Sequence, residues 1–432
     1  MGYGRRNHGP NGDNMTVLLI YIALFAGAFF VVDQIRNHRS KTADFTSLKT
    51  VTFGDESAVT ADRAASIISV AVIFLIWGAF TGSHWVPLHV PGPFIGDTSF
   101  TYTLQGPDGR RGNATVKIRV FPPGQDADAP EIVPGGGFAK NESAKVGAWR
   151  SVLLPVDQIS RDAGATIVAI NDKPVKPGDS VSVDNGVVTM SSHGTPNFKP
   201  WAGWQMEPIW LPAPEAVVHR FVDVYENGYQ NFTLVQHVGI SMLRVLVGFL
   251  LGALVGIPLG FAMGLSNWFR GWFDPIVEFM RPVPPLALIP LVIIWAGIGE
   301  SGKFILLFLA SLWIMTIAAR AGVSGVQLSK VHAGYSLGAS KWRILTRIIM
   351  PNSLPEIFTG ARVAMGVCWG TVVAAELVAA EKGVGMMIMV ASRFQLTDIV
   401  LMGIILIGVI GYSVDILMRK LEKVLVPWKG KG

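Results

Sequence analysis

Cysteine is almost missing. Cys368 is the single one in 432 residues, so no intrachain disulfide can form, and thiol usage is silent on redox compartment. Charge is scarce as well: Asp, Glu, Lys and Arg together make up 15% of the chain, half of the residues are hydrophobic, and mean hydropathy is positive. That balance excludes a disordered chain and indicates an integral membrane protein with some soluble mass. The net charge of +6 could suggest a nucleic-acid partner. The basic residues fall beside apolar runs, as membrane orientation requires, so nucleic acid is excluded as a partner. One hydroxyl is also lacking. The stretch GIGESGKF at 297–304 fits a phosphate-binding G-x-x-x-x-G-K-[ST] loop except at its last position, where Phe304 cannot ligate Mg²⁺. Uncharged runs flank it where a buried strand and a soluble α/β domain are required. It reads as a Gly-rich turn between membrane segments, and the chain holds no nucleotide, no metal and no catalytic group of its own.

What the chain does contain is a series of apolar runs, at 15–32, 64–83, 238–264, 282–299, 304–319, 363–375 and 399–414. The working expectation is therefore about seven spans. The run at 282–299 carries Pro282, Pro284, Pro285 and Pro290, too many for one straight helix. A loop or broken helix is expected there, beside a translocation path, because irregular backbone survives in a membrane only next to protein or water. Orientation follows from lysine and arginine. Arg36, Arg39, Lys41, Lys49 and Arg63 crowd the loop after the first span; Lys330, Lys341, Arg343 and Arg347 separate the fifth and sixth; Arg419, Lys420 and Lys423 follow the last. With seven spans these segments share one side, the cytoplasm, which places the C-terminus inside and the N-terminus outside despite Arg5 and Arg6. A cleaved signal peptide within 1–32 is the alternative.

Residues 87–209 break the membrane pattern. Phe100, Tyr102 and Leu104 alternate with polar residues, a turn follows at 106–109 (GPDG), and Ala114, Val116, Ile118 and Val120 alternate again. This predicts a hairpin with one apolar face. A second β-rich block runs through 165–170, the turn at 176–179, 181–183 and 187–190, while 121–137 reads as a long loop. About 120 residues suffice for a small sandwich, and the two blocks resemble parts of bacterial cadherin-like or immunoglobulin-like repeats. By the orientation above this insert is periplasmic or extracellular. Trp201, Trp204 and Trp210 follow it, as interfacial anchors or, on a sharper reading, as an aromatic cage for a cation.

The most informative stretch is HAGYSLGASKWRILTRIIMP at 332–351. Read only as a pattern, small residues followed by a basic amphipathic segment could be an interfacial helix. Between two spans it resembles the EAA loop of ABC-transporter permeases, E-A-A-x₃-G-x₉-I-x-L-P. Ala333, Gly338, Ile348 and Pro351 stand in register; His332, Gly334 and Met350 replace the pattern's glutamate, second alanine and leucine. The resemblance implies a short helix that enters a groove on an ATPase subunit. Gly338 would permit close backbone approach and Pro351 would stop the helix before the next span. The coupling set it implies is His332, Ala333, Gly334, Gly338, Ala339, Ile348 and Pro351. From about 67 to 83, and again from 211 to the C-terminus, the chain is similar to the taurine, alkanesulfonate and nitrate branch of these permeases, through 211–215 (LPAPE), 281–287 (RPVPPLA), 294–299 (IWAGIG) and 372–377 (VVAAEL). The RPVPPLA form is most similar to taurine permeases.

That resemblance implies an all-α polytopic membrane protein of the type I importer permease fold carrying an inserted β-rich domain. The expected division is an extra N-terminal span and basic cytoplasmic loop (1–63), the first core span (64–86), the periplasmic insert (87–209) and the membrane core (210–432). The protein would sit in a bacterial inner membrane as a homodimer, with two ATPase subunits that bind ATP and Mg²⁺ and a periplasmic binding protein that delivers a small organic anion, a sulfonate such as taurine. Nitrate or another small solute is the alternative within the family. An ion-coupled secondary transporter using Glu376 as a relay, or a membrane-anchored sensor, are the alternatives outside it, and neither needs a docking helix. Candidate path residues are Arg281, Pro282, Pro284, Pro285, Glu376 and Arg244. Arg244 could snorkel, pair or attract an anion; Glu376 suits a structural pair or hydrogen-bond acceptor better than an anion ligand. A local ion pair suffices to explain Glu278 and Arg281.

Overall fold

The structure is a computed structural model that describes residues 12–39, 63–133, 138–154 and 165–428. Arg5, Arg6, Lys41 and Lys49 of the orientation argument, and the last part of the loop 121–137, lie outside the described residues. By its internal contacts the chain divides into two units, Met1–Glu215 and Ala216–Gly432. That division groups the 64–86 segment with the β-rich region.

The first unit holds two apolar helices, α1 (Gly12–Arg39) and α2 (Arg63–Thr81), followed by the strands. The predicted hairpin forms from β1 (Gly96–Gln105) and β2 (Arg111–Phe121), in a register that sets Phe100 opposite Val116 and Tyr102 opposite Ala114. Its alternation works as expected: Phe100, Tyr102, Leu104, Val116, Ile118 and Val120 are all buried on one face. β3 (Glu142–Gly147) joins β2 in parallel, and β5 (Thr166–Ile170) with β6 (Lys173–Pro174) extends the other edge, giving the order β3-β2-β1-β5-β6. A second sheet, β4-β9-β8-β7, is built from β4 (Val152–Leu153), β7 (Ser180–Val183), β8 (Gly186–Met190) and β9 (Pro196–Pro200). Both sheets contribute to one core, where the Phe100 and Phe198 rings stack with centroids 6.3 Å apart. Strand β9 was not legible in the sequence, since proline at both ends argues against a ladder strand. The prolines mark its limits, and Phe198 between them is fully buried.

The chain leaves and rejoins the helical part of this unit at neighbouring points. Phe94 N donates to Trp201 O, Trp204 N to Pro91 O and Met206 N to Phe80 O. The LPAPE segment then lies on the C-terminal end of α2: Trp77 Nε1 donates to Pro212 O at 2.9 Å, and Ser83 Oγ to Glu215 Oε2 at 2.6 Å. Burial opposes the charge of Glu215, yet the Ser83 hydroxyl, the His84 amide and the His84 ring outweigh it and hold the carboxyl below its usual range.

The second unit is helical: α3 (Pro214–Asn227), α4 (Leu234–Leu265), α5 (Asn267–Met280), a 3₁₀ turn (Pro285–Leu288), α6 (Ile289–Ala296), α7 (Glu300–Ser324), α8 (Leu328–Ser336), α9 (Lys341–Ile344), a π-turn (Leu345–Ile349), α10 (Met350–Ala379), α11 (Val384–Arg393) and α12 (Thr397–Leu425). Among the described residues four helices are long and apolar enough to cross a membrane: α4, α7, the continuous stretch Lys341–Val378, and α12. A fifth span arises if α5 and Pro285–Ala296, bent by 94° at the break, count as one. The seven expected spans thus divide into four full-length helices, one bent pair, and the shorter apolar stretches Leu19–Val31 and Ala65–Thr81 of the first unit. The Pro-rich run forms the returning limb of the bend. Pro282 and Pro284 lie in its turn, and Pro285 and Pro290 open the two short helices where a missing N–H costs nothing.

Helices α4 and α7 form the tightest seam. Gly248, Gly252, Gly256, Gly260 and Gly264 recur every fourth residue on α4, one face of a helix, and α7 fills the space their missing side chains leave. A Cβ at Gly256 would stand 2.7 Å from Leu312 O, and one at Gly264 2.7 Å from Val323 Cγ1. Ser311 Oγ crosses the seam to Gly248 O at 3.2 Å. Helix α10 packs on the other side of α7, closing a core that includes Leu307, Met315, Ala364, Cys368 and Val372.

Candidate functional site

A buried ionic cluster occupies one end of the second unit. Thr233 caps α4 with a capping box to Gln236, so the helix starts in a defined place. His237, Ser241 and Arg244 then follow at intervals of four and three, on one face. Arg244 is fully buried, and its guanidinium is held on several sides: Nε donates to Glu300 Oε2 at 2.7 Å, one terminal nitrogen to Glu300 Oε1, and the other to Glu376 Oε1 at 2.6 Å and Lys382 O at 2.9 Å. Such a fork meeting two carboxylates is the geometry in which a buried arginine can be sustained. Lys303 Nζ also reaches Glu300, at 3.0 Å.

Glu376 is buried too, and all its bonds are internal. Its carboxylate accepts from Ser241 Oγ at 2.7 Å, from Arg244, and from Gly385 N at 2.9 Å. It caps the N-terminus of α11 together with Ser241 Oγ, which takes Val384 N, and His237 Nδ1, which takes Gly383 N. Gly383 adopts φ +140°, and a Cβ there would strike the Glu376 carboxylate, so glycine is required where the loop closes over the charge. The cluster ties together α4, α7, α10 and α11. Arg244 and Glu376 were legible singly as ionisable groups in apolar runs. Their pairing was not, because 132 residues separate them. In the sequence Glu300 and Lys303 stand out only as parts of an imperfect phosphate loop; the structure uses them as the first turn of α7, preceded by a helix and not by a strand.

At the far ends of α7 and α10 lies the 332–351 loop. Helix α8 ends in a Schellman turn: Ala339 N donates to Gly334 O at 3.0 Å and Gly338 N to Tyr335 O at 2.9 Å, with Gly338 at φ +74°. Within this chain a Cβ on Gly338 would meet nothing within 4 Å, so the glycine serves backbone conformation here. Close approach occurs instead at Gly334, which is buried and whose Cβ would stand 2.6 Å from Ile348 Cδ1. Gly334 and Ile348, two positions of the motif, hold α8 against the π-turn. Pro351 does not stop the helix. It lies in the first turn of α10, and the helix continues through it from Lys341 to Val378. The π-turn just before it re-routes the backbone bonds that proline cannot complete. His332 and Ala333 are exposed, as are the apolar side chains of Leu328, Tyr335, Leu337 and Trp342, which give the α8–α9 elbow an unpartnered apolar rim.

Of the remaining path residues, Pro282, Pro284 and Pro285 lie at the bend and Arg281 is exposed beside them. Among the described residues the ion pair of Arg281 is a long 3.8 Å contact to Glu278, whose closer partner is Arg320 of α7 at 2.9 Å. The structure does not bring Arg281 to the Arg244–Glu376 cluster: Arg281 follows the C-terminus of α5, while the cluster gathers the N-terminal ends of α7 and α11.

Residues 248–426 match the family described as binding-protein-dependent transport system inner membrane component. The chain is 44% identical to the taurine transport system permease protein of Escherichia coli K12 over 227 residues, which is 52% of this chain and 82% of that one. It is 39% identical to the putative aliphatic sulfonates transport permease protein of the same organism over 226 residues (52% and 84%). The nitrate import permease protein of Synechocystis is 30% identical over 226 residues (51% and 82%). Among solved structures, an inward-facing methionine ABC transporter aligns at a TM-score of 0.40 and 17% identity, covering 44% of this chain and 95% of that one.

Proposed function

The chain belongs to the binding-protein-dependent ABC permeases, a transport subunit without an ATPase site of its own, and from this premise we propose that it carries taurine or a related sulfonate from periplasm to cytoplasm. The observation that carries the substrate reading is the 44% identity to a taurine permease over 227 residues. In this reading two copies line the path, and two ATPase subunits dock on the exposed rim of the α8–α9 elbow, which the lysine and arginine distribution assigns to the cytoplasm. The Arg244–Glu376 cluster then lies at the periplasmic ends of the helices as a structural clasp. A periplasmic protein delivers the solute. Co-purification with a Walker-motif ATPase and ATP-dependent uptake of labelled taurine into proteoliposomes test this. A stable complex that ignores taurine and other sulfonates, but takes up nitrate, would shift the substrate to the nitrate branch.

Gly338→Val tests the elbow. A β-branched residue at φ +74° should cost about 1–2 kcal/mol of local stability, unravelling the end of α8 while leaving the bundle intact. Solute-stimulated ATP hydrolysis should fall several-fold with an unchanged melting temperature, and Gly338→Asn, which tolerates this conformation, should retain most of it. Equal rates for Val and wild type would remove the Schellman turn from coupling.

The insert is proposed to dock the delivering protein and to take no part in the path. Its ends are hydrogen-bonded neighbours, Phe94 to Trp201, so residues 96–200 can be replaced by a short Gly/Ser linker. ATPase association and basal hydrolysis should survive, and stimulation by the loaded binding protein should weaken. Loss of dimer formation or membrane insertion would make the insert structural; undiminished uptake at low solute concentration would equally reject docking.

A further inference from the structure

Helix α2 is 19 residues long. At 1.5 Å per residue it reaches about 28 Å, slightly less than a hydrocarbon layer of about 30 Å. In a bilayer its last turn therefore stands at the headgroups, and whatever is bonded to that turn shares its depth. Two segments are bonded to it. Residues 82–95 follow directly, and Trp85 folds back so that its ring stacks on Phe74 of α2, centroids 6.2 Å apart. Residues 201–212 return to the same place: Met206 N donates to Phe80 O, and Trp77 Nε1 to Pro212 O at 2.9 Å.

The two segments are also locked to each other. Phe94 N donates to Trp201 O, and Gln205 Nε2 to Val90 O at 3.0 Å. Gly203, at φ +66°, lays its backbone on Gly92, where a Cβ would stand 2.3 Å from Gly92 O. The β-rich domain thus joins α2 through a bonded collar and not through two free linkers.

The outward side of the collar is apolar. Trp85, Leu88, Ile95, Trp201, Trp204 and Trp210 are all exposed, Trp210 most of all at 73%. Among the described residues none of these four indole N–H groups has a protein acceptor. Indoles with an apolar ring and an unmet N–H suit the boundary where acyl chains give way to headgroup oxygens and water. Residues 82–96 and 200–213 contain no lysine or arginine, so attraction to anionic headgroups is not what would hold them. Continuity with α2 decides the occupant. The helix keeps Ile67, Val70 and Ile73 exposed, and Trp85 stacks along it, so the lipid that surrounds α2 also meets the collar.

We propose that the collar is a seat on the phospholipid surface, with its indoles among the headgroups at the end of α2 opposite Arg63, holding the β-rich domain against the membrane. The partner is the bilayer interface itself, irrespective of its net charge. This goes beyond the transport reading and does not depend on which solute is carried.

The test uses the full-length permease in nanodiscs with an environment-sensitive thiol dye at one of two sites, Ile95→Cys in the collar or Pro107→Cys in the exposed hairpin turn at the far end of β1. The natural Cys368 is buried and shielded from the dye. Phosphatidylcholine spin-labelled at its headgroup should quench the dye at 95 several-fold more than at 107. Serine at Trp85, Trp204 and Trp210 together should erase most of that difference, whereas tyrosine at the same three positions, which also favours the interface, should keep it. Exchanging part of the lipid for an anionic one, or raising the salt, should leave quenching unchanged. If the serine triple variant does not fold, Trp210→Ser alone should give a smaller loss in the same direction. Equal quenching at 95 and 107 overturns the seat, as does wild-type quenching in a folded serine variant or quenching that requires anionic lipid. A dye at 95 that is shielded from the spin label and self-quenches between two labelled copies would assign the surface to a subunit contact and overturn it as well.

Discussion

Arg244→Met should destabilise the helical unit by about 3–5 kcal/mol, the usual cost of removing one partner from a buried ion pair. The loss is not the value of a contact. Glu376 would be left ionised in a fully buried position, with only Ser241 Oγ and the Gly385 amide to hold its charge, and Glu300 would lose two of its three bonds. The clasp over α11 should open, lowering both the yield of folded permease and its melting temperature in detergent. Glu376→Gln added to the Arg244→Met variant is the diagnostic partner. A glutamine oxygen can still accept from Gly385 N and Ser241 while removing the orphaned charge, so the double variant should be more stable than Arg244→Met alone. A coupling of about 0.5–3 kcal/mol is the scale for residues in direct contact. Strict additivity of the two substitutions would show that the pair is not electrostatically linked and that Glu376 acts only as a helix cap.

The other large effect is expected at Gly252. A Cβ there would collide with Ser311 Oγ and lie 2.8 Å from Phe308 O and 2.9 Å from Leu312 N. The hydroxyl can rotate away; the backbone of α7 cannot. Alanine should therefore cost about 1–3 kcal/mol by overpacking, and leucine should force α4 and α7 apart and abolish assembly of the bundle. Gly239 on the same helix supplies the control, since a Cβ there meets nothing within 4 Å and the position is not buried. Membrane fractions probed for protease resistance and ATPase association distinguish the two. Tolerance of leucine at 252 equal to that at 239 would mean that the glycine seam does not hold the helices together.

These two sites mark what kind of information the sequence carries. The five-glycine spacing on α4 was available to inspection as a repeated G-x-x-x-G pattern, and it signals a close helix contact in lipid, where packing must replace the hydrophobic drive. It does not say which helix is the partner. The identification of α7 required the tertiary structure. The coupling loop behaves similarly. Its pattern was readable over twenty residues, but two of the reasons attached to it needed revision: within this chain close approach belongs to Gly334 and Ile348, and Pro351 is carried inside a helix because a π-turn precedes it.

By itself the sequence determined the properties set by local chemistry and solvent. Apolar runs place segments in a bilayer, period-two alternation makes the β1–β2 hairpin with its buried Phe100, Tyr102 and Leu104, four prolines break the segment after Arg281, and Phe304 removes the Mg²⁺ ligand that a nucleotide site needs. The tertiary structure alone decided the partners of isolated charges and the closure of distant segments: Arg244 with Glu376 and Glu300, Glu376 at the amides of α11, β9 between its prolines, and the return of the β-rich insert to the point where it left the helical chain. A buried charge requires a counter-charge and hydrogen bonds, but nothing in its own neighbourhood of the sequence specifies where along the chain they come from. Only the packing of the helices brings them together.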